Sequence, residues 1–209
     1  KTTKSPPKEY VEKLFDDYAD RFDNSLVGQL QYKLPFLIKE LINKIAPSSN
    51  KFNNVIDLGC GTGLAGLELR GISNILTGID LSNKMIIKAK ERQVYDHLIE
   101  GDIAKTLNAS KEKYNLFIAL DVLIYIGEVS SIFKAIRNCC SQNAIFIFSI
   151  EAQMDGEYSL LKTGRYSHSE DYILRKASYG FKLILSQEVR LRKDNEKWIT
   201  GSIICLQAN

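Results

Sequence analysis

A glycine-rich turn after an apolar segment is the first feature of the sequence that could do chemistry. Residues 55–58 (VIDL) predict a β-strand, residues 59–63 (GCGTG) predict a tight turn, and a helix is expected to follow. Glycine allows the backbone to turn sharply and to come close to a ligand. The turn therefore predicts a cofactor site at the end of this strand.

The spacing and charge of the turn distinguish two cofactor classes. A dinucleotide-binding turn reads G-x-G-x-x-G, but Leu64 occupies the last position and the glycines follow G-x-G-x-G. Asp57 precedes the turn and would repel a pyrophosphate, whereas it suits the sulfonium and ammonium charges of S-adenosylmethionine. We therefore expect S-adenosylmethionine as cofactor and S-adenosylhomocysteine as product, with a binding site that includes Asp57, Gly59, Cys60, Gly61 and Gly63.

A second acidic residue, Asp80, ends the next predicted strand. It lies about 20 residues beyond Gly61, close to the position where a carboxylate binds the two ribose hydroxyls of a nucleotide. Leu81 and Met85 follow as apolar residues that could flank an adenine ring.

Two further strands also end in acidic residues. Asp102, followed by Ile103, could accept a hydrogen bond from the adenine amino group, and Asp121 follows Leu120. Ligands of open parallel sheets bind beyond the carboxyl ends of the strands, so these side chains should meet at one edge. The alternative for each is a helix cap or turn residue without a ligand.

The elements that would position these residues alternate between strand and helix. Strands are predicted at 55–58, 75–80, 98–100, 116–120 and 144–150, and helices at 62–70, 82–92 and 130–139. Strands that are apolar throughout indicate a parallel sheet covered by helices on both faces.

The two ends of the chain differ from this alternation. Helical spacing is predicted over about 10–22, 24–32 and from Pro35 to 45, ended by residues 47–50. Near the other end, residues 167–179 predict a helix with capping-box spacing between Ser167 and Glu170. Residues 181–191 and 198–206 predict an antiparallel hairpin joined by a polar turn at 192–197.

As a set, these segments resemble the motifs of class I methyltransferases. Residues 57–63 resemble the first motif, Asp80 the second, 101–103 the third and 114–121 the fourth strand. The resemblance covers about residues 50–206. It implies an α/β fold with a doubly wound, seven-stranded Rossmann-like sheet in the order 3-2-1-4-5-7-6, strand 7 being antiparallel.

The resemblance also implies a division of the chain. Residues 51–209 would form the S-adenosylmethionine-binding methyltransferase domain, and residues 1–50 an N-terminal helical lid. Within that lid Tyr18 and Phe22 would cover the cofactor and Arg21 would meet its methionine carboxylate. The alternative is ordinary packing of aromatic residues on an amphipathic helix.

A narrower resemblance lies outside the core motifs. Residues 10–23 and 164–169 are similar to segments of bacterial methyltransferases that are often fused to tetratricopeptide repeats. It implies a possible upstream repeat region that is absent from this chain.

Methyl transfer needs positioning and exclusion of water, and a catalytic base is optional. Asp121, Tyr125, Tyr166 and His168 are the candidates near the expected opening of the site, and we predict Asp121, Tyr125 and His168 as catalytic. His168 could deprotonate an oxygen acceptor, since its ordinary pKa is about 6.5. Because it follows a predicted helix cap, a surface position in the first helical turn is the alternative.

The net charge and a missing motif limit the classes of methyl acceptor. The net charge is only +3, and an Asn/Asp-Pro-Pro-aromatic run, typical of nucleobase amino methylation, is missing after Asp121. We therefore expect a small-molecule acceptor, or second a protein side chain, and no nucleic acid. Two competing functions are a non-catalytic S-adenosylmethionine-binding regulatory protein and an NAD-dependent oxidoreductase, the second of which Leu64 and Asp57 disfavour.

The remaining features concern compartment and metals. No apolar run approaches the roughly 18–20 residues that span a bilayer, so no membrane association is expected. Cys60, Cys139, Cys140 and Cys205 form no C-x-x-C pair. This favours a reduced, cytoplasmic protein without a structural metal.

Overall fold

The computed structural model describes residues 3, 5–23, 28, 30–46, 51–194 and 197–209. The helices are α1 (Lys8–Tyr18), α2 (Leu34–Ile45), α3 (Leu64–Leu69), α4 (Asn83–Glu91), α5 (Ile103–Ala109), α6 (Ser130–Cys139) and α7 (Glu170–Ala177). The strands are β1 (Phe52–Leu58), β2 (Ser73–Asp80), β3 (His97–Glu100), β4 (Tyr114–Ala119), β5 (Cys140–Ala152), β6 (Tyr158–Leu160), β7 (Tyr166–His168), β8 (Phe181–Asp194) and β9 (Lys197–Ala208). Among the residues described, no helix is long and apolar enough to cross a membrane.

The body of the sheet has the strand order β3-β2-β1-β4-β5-β9-β8. Strands β1 to β5 run parallel, whereas β9 runs antiparallel to β5 and β8. With the last two strands counted as 6 and 7, this is the order 3-2-1-4-5-7-6, so the predicted fold is confirmed. The short strands β6 and β7 were not predicted; β7 pairs with β5 where β5 extends past the end of β4.

Apolar side chains lie on both faces of the sheet, and helices cover both faces. In β4, Leu116 and Ile118 belong to one apolar cluster, whereas Phe117 and Ala119 belong to another. One cluster includes α5, α6 and α7, and the other includes α2 and α3. This alternation is that of a strand buried on both sides, as the uninterrupted apolar segments predict.

The lid predicted for residues 1–50 contains two described helices with different surroundings. No residue of α1 is buried, whereas α2 buries Leu34 and Ile38 completely and packs on the sheet. Most of the helix predicted over 24–32, and the break predicted at 47–50, lie outside the described residues. The division into lid and domain stays a prediction.

The helix predicted over 167–179 starts later than expected. Tyr166–His168 form β7, and Ser169 caps α7 by accepting the backbone N–H of Tyr172 at 3.2 Å. The capping-box prediction at Ser167 is therefore wrong, as is the surface position of His168, which is fully buried. Pairing of β7 with β5 and β6 supplies the backbone hydrogen bonds that a longer helix would have supplied.

The terminal hairpin is longer than predicted. β8 continues through Asp194 and β9 begins at Lys197, while residues 195–196 lie outside the described part. Arg192 therefore belongs to a strand and not to the predicted turn. A register shift between Arg190 and Arg192 marks a β-bulge, which changes the direction of the side chains that follow it.

Candidate active site

A cavity of about 720 Å³ lies at the carboxyl ends of the parallel strands. Small-molecule sites commonly have volumes of roughly 300–1,000 Å³. The residues predicted for the site that line it are Tyr18, Phe22, Asp57, Gly59, Cys60, Gly61, Asp80, Leu81, Asp102, Ile103, Leu120, Asp121 and Tyr125. Most of the residues singled out in the sequence thus meet around one space.

The glycine turn forms one wall of the cavity. Gly59, Gly61 and Gly63 have φ angles of 69°, 54° and 88°, in a region that other residues rarely adopt. The N–H of Gly59 donates to the Ile79 carbonyl at 2.8 Å, and the N–H of Gly61 donates to the Asp80 carboxylate at 2.8 Å. The turn is therefore tied to the end of β2 and leaves space that side chains would occupy.

Asp57 is buried beneath this turn. The Tyr95 hydroxyl donates to its carboxylate at 2.6 Å. Burial raises the pKa of Asp57 to about 7, with Asp80 adding to the shift and the Tyr95 hydrogen bond opposing it. A positive charge on a ligand would favour the ionised form, so this carboxyl suits a cationic ligand.

Asp80 has both a structural contact and access to the cavity. One oxygen accepts the Gly61 N–H, and the other accepts the Ser82 N–H at 2.9 Å. Burial raises its pKa to about 6, while the backbone hydrogen bonds oppose that shift. The carboxyl group can thus hold the turn and still face a ligand hydroxyl.

Asp102 lies at the next strand end and caps α5. Its Oδ1 accepts the Lys105 N–H at 2.9 Å, and its Oδ2 pairs with Lys8 Nζ at 2.7 Å. Although burial opposes the shift, these contacts lower its pKa. The helix-cap alternative is therefore observed here, at a residue that also lines the cavity beside Leu81 and Ile103.

Aromatic side chains from the N-terminal segment cover the cavity. The rings of Phe15 and Tyr125 meet edge to face at a centroid distance of 5.2 Å, and those of Tyr18 and Phe22 at 5.4 Å. A Cβ placed on Gly61 would lie 3.5 Å from Phe22. These contacts bring the N-terminal segment directly over the glycine turn.

Polar contacts hold this cover in place. The Ser82 hydroxyl donates to Asp16 at 2.5 Å, and the Thr62 hydroxyl donates to Asp23 at 2.5 Å. Arg92 also pairs with Asp23. No residue of α1 is buried, and the helix is held through Asp16 at Ser82 and Lys8 at Asp102. The two Asp23 contacts hold the segment that follows it.

Asp121 lies at the far end of the cavity in a buried charge network. Its backbone has a φ of 54°, and its N–H donates to Ser149 Oγ at 2.8 Å. Arg192 donates to Asp121 at 2.7 Å and also pairs with Glu151. Burial raises the pKa of Glu151, with Arg192 opposing that shift. One guanidinium thus holds two carboxyl groups.

Two phenols and a second arginine surround this network. Tyr32, Tyr125 and Arg165 all line the cavity. Burial, with the charge of Asp121 adding to it, raises the pKa of Tyr32 well above 10. Burial also raises the pKa of Tyr125, while Arg165 opposes the shift. Both phenols therefore keep their protons at neutral pH and can donate hydrogen bonds.

Four residues predicted for the site do not line the cavity. Arg21 lies over the Tyr18 ring at 5.6 Å, and Met85 is fully buried in α4. Gly63 is the N-cap residue of α3. His168 Nε2 donates to the carbonyls of residues 126 and 127 at 2.8 and 3.2 Å, and burial lowers its pKa. His168 thus supports the backbone behind the cavity.

Several residues of the site are not predictable from the sequence. Tyr95 has no local signal, because its hydroxyl meets Asp57 only after β1, β2 and α4 assemble. Arg165 lies in a segment notable only for its resemblance to relatives, and Tyr32 falls at the end of a predicted helix. Arg192 falls in the predicted polar turn at 192–197, so the sequence carries no signal of its burial.

The sequence matches the methyltransferase domain family over residues 49–189. The chain therefore belongs to this family, whose class I Rossmann-like fold the sheet order also shows. The ubiquinone biosynthesis O-methyltransferase of Glaesserella parasuis serovar 5 (strain SH0165) is 22% identical over 149 residues, covering 66% of this chain and 61% of that protein. The 18S rRNA (guanine-N(7))-methyltransferase of Bos taurus is 26% identical over 123 residues, covering 59% and 42%.

The chain thus spans less than two thirds of the length of these curated relatives. Among solved structures, magnesium protoporphyrin IX methyltransferase from Synechocystis PCC 6803, crystallised with S-adenosylhomocysteine, aligns with a TM-score of 0.75. That alignment covers 97% of this chain and 100% of the other at 18% identity. It supports the same fold.

Proposed function

We propose that this chain transfers the methyl group of S-adenosylmethionine to a small-molecule acceptor and releases S-adenosylhomocysteine. The observation that carries the proposal is one cavity with a glycine turn and three strand-end carboxyl groups along one part. Asp121, Tyr125 and two arginines lie along the other part. A continuous space of this kind suits a cofactor and an acceptor side by side.

The residues present fit the cofactor. The glycine turn leaves room for close approach, Asp80 is placed for ribose hydroxyls, and the buried Asp57 suits a cationic ligand. Leu81 and Ile103 offer apolar walls for adenine, and Asp102 keeps lone pairs for its amino group. Tyr18 and Phe22 would cover the site, while a contact between Arg21 and the methionine carboxylate stays a prediction.

Bound there, S-adenosylmethionine supplies a methyl group activated by its positively charged sulfur. The protein's part is to orient the acceptor in line with that methyl group and to exclude water. Asp121 is placed to accept a hydrogen bond from the acceptor, and Tyr125 to donate one. His168 lies outside the cavity, so we assign it no contact with the reacting atoms.

The choice of a small acceptor rests on the N-terminal wall over the cavity. α1 and the segment before it, through Ser5, Pro6 and Phe15, form a wall over the cavity. Thr3 is hydrogen-bonded to the Tyr166 hydroxyl at 2.7 Å, which ties that wall to β7. A protein side chain is the second possibility, and the narrower resemblance to repeat-fused methyltransferases stays a prediction.

Calorimetric titration with S-adenosylmethionine, S-adenosylhomocysteine and NAD tests the cofactor assignment. We expect micromolar binding of the first two and none of NAD. Asp80→Ala should weaken binding by about 1–3 kcal/mol because ligand hydroxyls lose their acceptor. Asp80→Asn keeps one side-chain oxygen that can accept a backbone N–H of the turn. It therefore separates the effect of losing the negative charge from the effect of disrupting the glycine turn.

Asp96→Asn is the matched control. The Asp96 carboxylate also accepts a backbone N–H, from Leu76 at 2.7 Å, but lies away from the cavity. Equal losses in the Asp80 and Asp96 variants would indicate general destabilisation. Binding of NAD alone would overturn the proposal.

A further inference from the structure

The charged groups at the Asp121 end of the cavity differ in how far they are already paired. Arg192, whose side chain is 2% exposed, pairs with both Asp121 and Glu151. Its positive charge is therefore more than balanced by two carboxyl groups. Arg192 contributes little attraction for another anion.

The carboxyl groups that line this end are paired as well. Asp121 is held by Arg192 at 2.7 Å. Glu128 accepts the Ser130 N–H at 3.1 Å and lies 3.6 Å from Lys176 Nζ. A cationic group on an acceptor would have to compete with these existing partners.

Among the described residues, Arg165 is the second arginine at this end of the cavity, and its one ion pair is long. Its Nη1 meets Asp194 at 3.4 Å, a long contact for an ion pair. The guanidinium also hydrogen-bonds the side chain of Tyr125. Asp194 does not line the cavity, whereas Arg165 does. Asp194 thus contacts the guanidinium from outside the cavity and Tyr125 from its lining, and a guanidinium, with five N–H donors, keeps further donors for a ligand.

Apolar side chains share the cavity with Arg165. Phe15, Ile126 and Ile132 line the same space, and the ring of Tyr125 stands edge to face against Phe15. In such surroundings a guanidinium binds an oxyanion more strongly than in water, because the competing water is excluded.

We infer that the methyl acceptor has an apolar body and an oxyanion group, a carboxylate or a phosphate, which Arg165 binds. The fork of guanidinium N–H groups matches two oxygens of either group. The oxyanion would anchor the acceptor at the cavity wall and leave its nucleophilic atom near Asp121. This inference rests on the proposed function, since it assigns the acceptor of the same site.

The test uses the full chain saturated with S-adenosylhomocysteine. Calorimetry compares para-hydroxybenzoate, its neutral amide para-hydroxybenzamide, and para-hydroxyphenyl phosphate. We expect the better anion to bind at least about tenfold more tightly than the amide, as for a charged hydrogen-bonded pair. The preferred anion distinguishes a carboxylate from a phosphate acceptor.

Arg165→Gln should reduce this preference to about twofold or less, while the affinity for S-adenosylhomocysteine, which also reports folding, stays unchanged. Arg165→Lys, which keeps the charge and loses the fork, should retain part of the preference. Arg175→Gln is the control, because Arg175 pairs with Glu157 at 2.7 Å on the exposed surface.

Two results overturn the inference in different ways. If S-adenosylhomocysteine binds but neither anion is preferred over the amide, or Arg165→Gln keeps the preference, the acceptor assignment alone fails. If S-adenosylhomocysteine does not bind, the proposed function fails, and the inference fails with it.

Discussion

Replacing Arg192 by methionine would test the buried charge network beside the cavity. The side chains of Arg192, Asp121 and Glu151 are 2%, 16% and 6% exposed. Methionine has a similar length but would leave two carboxyl groups without their ion-pair partner, with Arg165 as the remaining nearby cation. Removing one partner of a buried pair costs about 3–5 kcal/mol, so we expect the free energy of unfolding to fall by that amount at neutral pH.

Urea denaturation followed by circular dichroism measures this loss, with Arg175→Met as the matched control. The Arg175 and Glu157 side chains are 57% and 58% exposed, and such surface pairs contribute about 0–1 kcal/mol. Adding Glu151→Gln to the Arg192→Met variant should recover part of the stability, because one uncompensated charge is removed.

The pH dependence gives the sign of the effect. Burial raises the pKa of Glu151, and Arg192 opposes that shift. Loss of the Arg192 side chain should therefore raise the pKa of Glu151 further. The penalty in Arg192→Met is then fully present above that raised pKa and shrinks as the pH falls through it. A loss below about 1 kcal/mol, or one that does not change with pH, would refute the network's assigned role.

Two further predictions concern titrating groups. Because Asp57 and Asp80 have pKa values raised to about 7 and about 6, the affinity for S-adenosylmethionine should increase as the pH rises from about 5.5 to about 8. The affinity for S-adenosylhomocysteine, which lacks the sulfonium charge, should change less over the same pH range when measured by calorimetry. An equal dependence of affinity on pH for the two ligands would contradict the role assigned to the carboxyl groups. His168 is buried, and its Nδ1 has no hydrogen-bond partner among the described residues. Burial lowers its pKa. The stability that neutral His168 contributes is therefore present above its unfolded pKa of about 6.5 and lost as the pH falls below that value. Urea unfolding should show a shallower acid loss in His168→Gln than in the wild type, whereas His97→Gln at the exposed second histidine should follow the wild type.

The cofactor part of the site could be predicted because its information is local. Asp57, the glycines after it and Asp80 each lie directly at the end of an apolar strand. In a parallel sheet those ends meet at one edge whatever the details of packing. The spacing of residues along the chain is therefore sufficient to bring these side chains together.

The region around β7 could not be predicted in the same way. Residues 167–170 have the spacing of a helix cap, and local propensity alone favours a helix there. The pairing of Ser167 with Glu151 overrides it, and that pairing depends on β5 continuing past the end of β4. A contact between distant strands thus decides whether His168 lies on the surface or in the core.

The Asp121 end of the cavity depends on such long-range contacts throughout. Tyr32 precedes α2, Arg165 precedes β7, and Arg192 lies near the end of β8, so no single segment predicts their meeting. For Arg192 the bulge after Arg190 is decisive: simple alternation would place Arg190 and Arg192 on one face, yet Arg192 is buried and Arg190 is exposed. Since a bulge is rarely visible in a single sequence, the part of the site that we propose binds the acceptor has to be read from the folded chain.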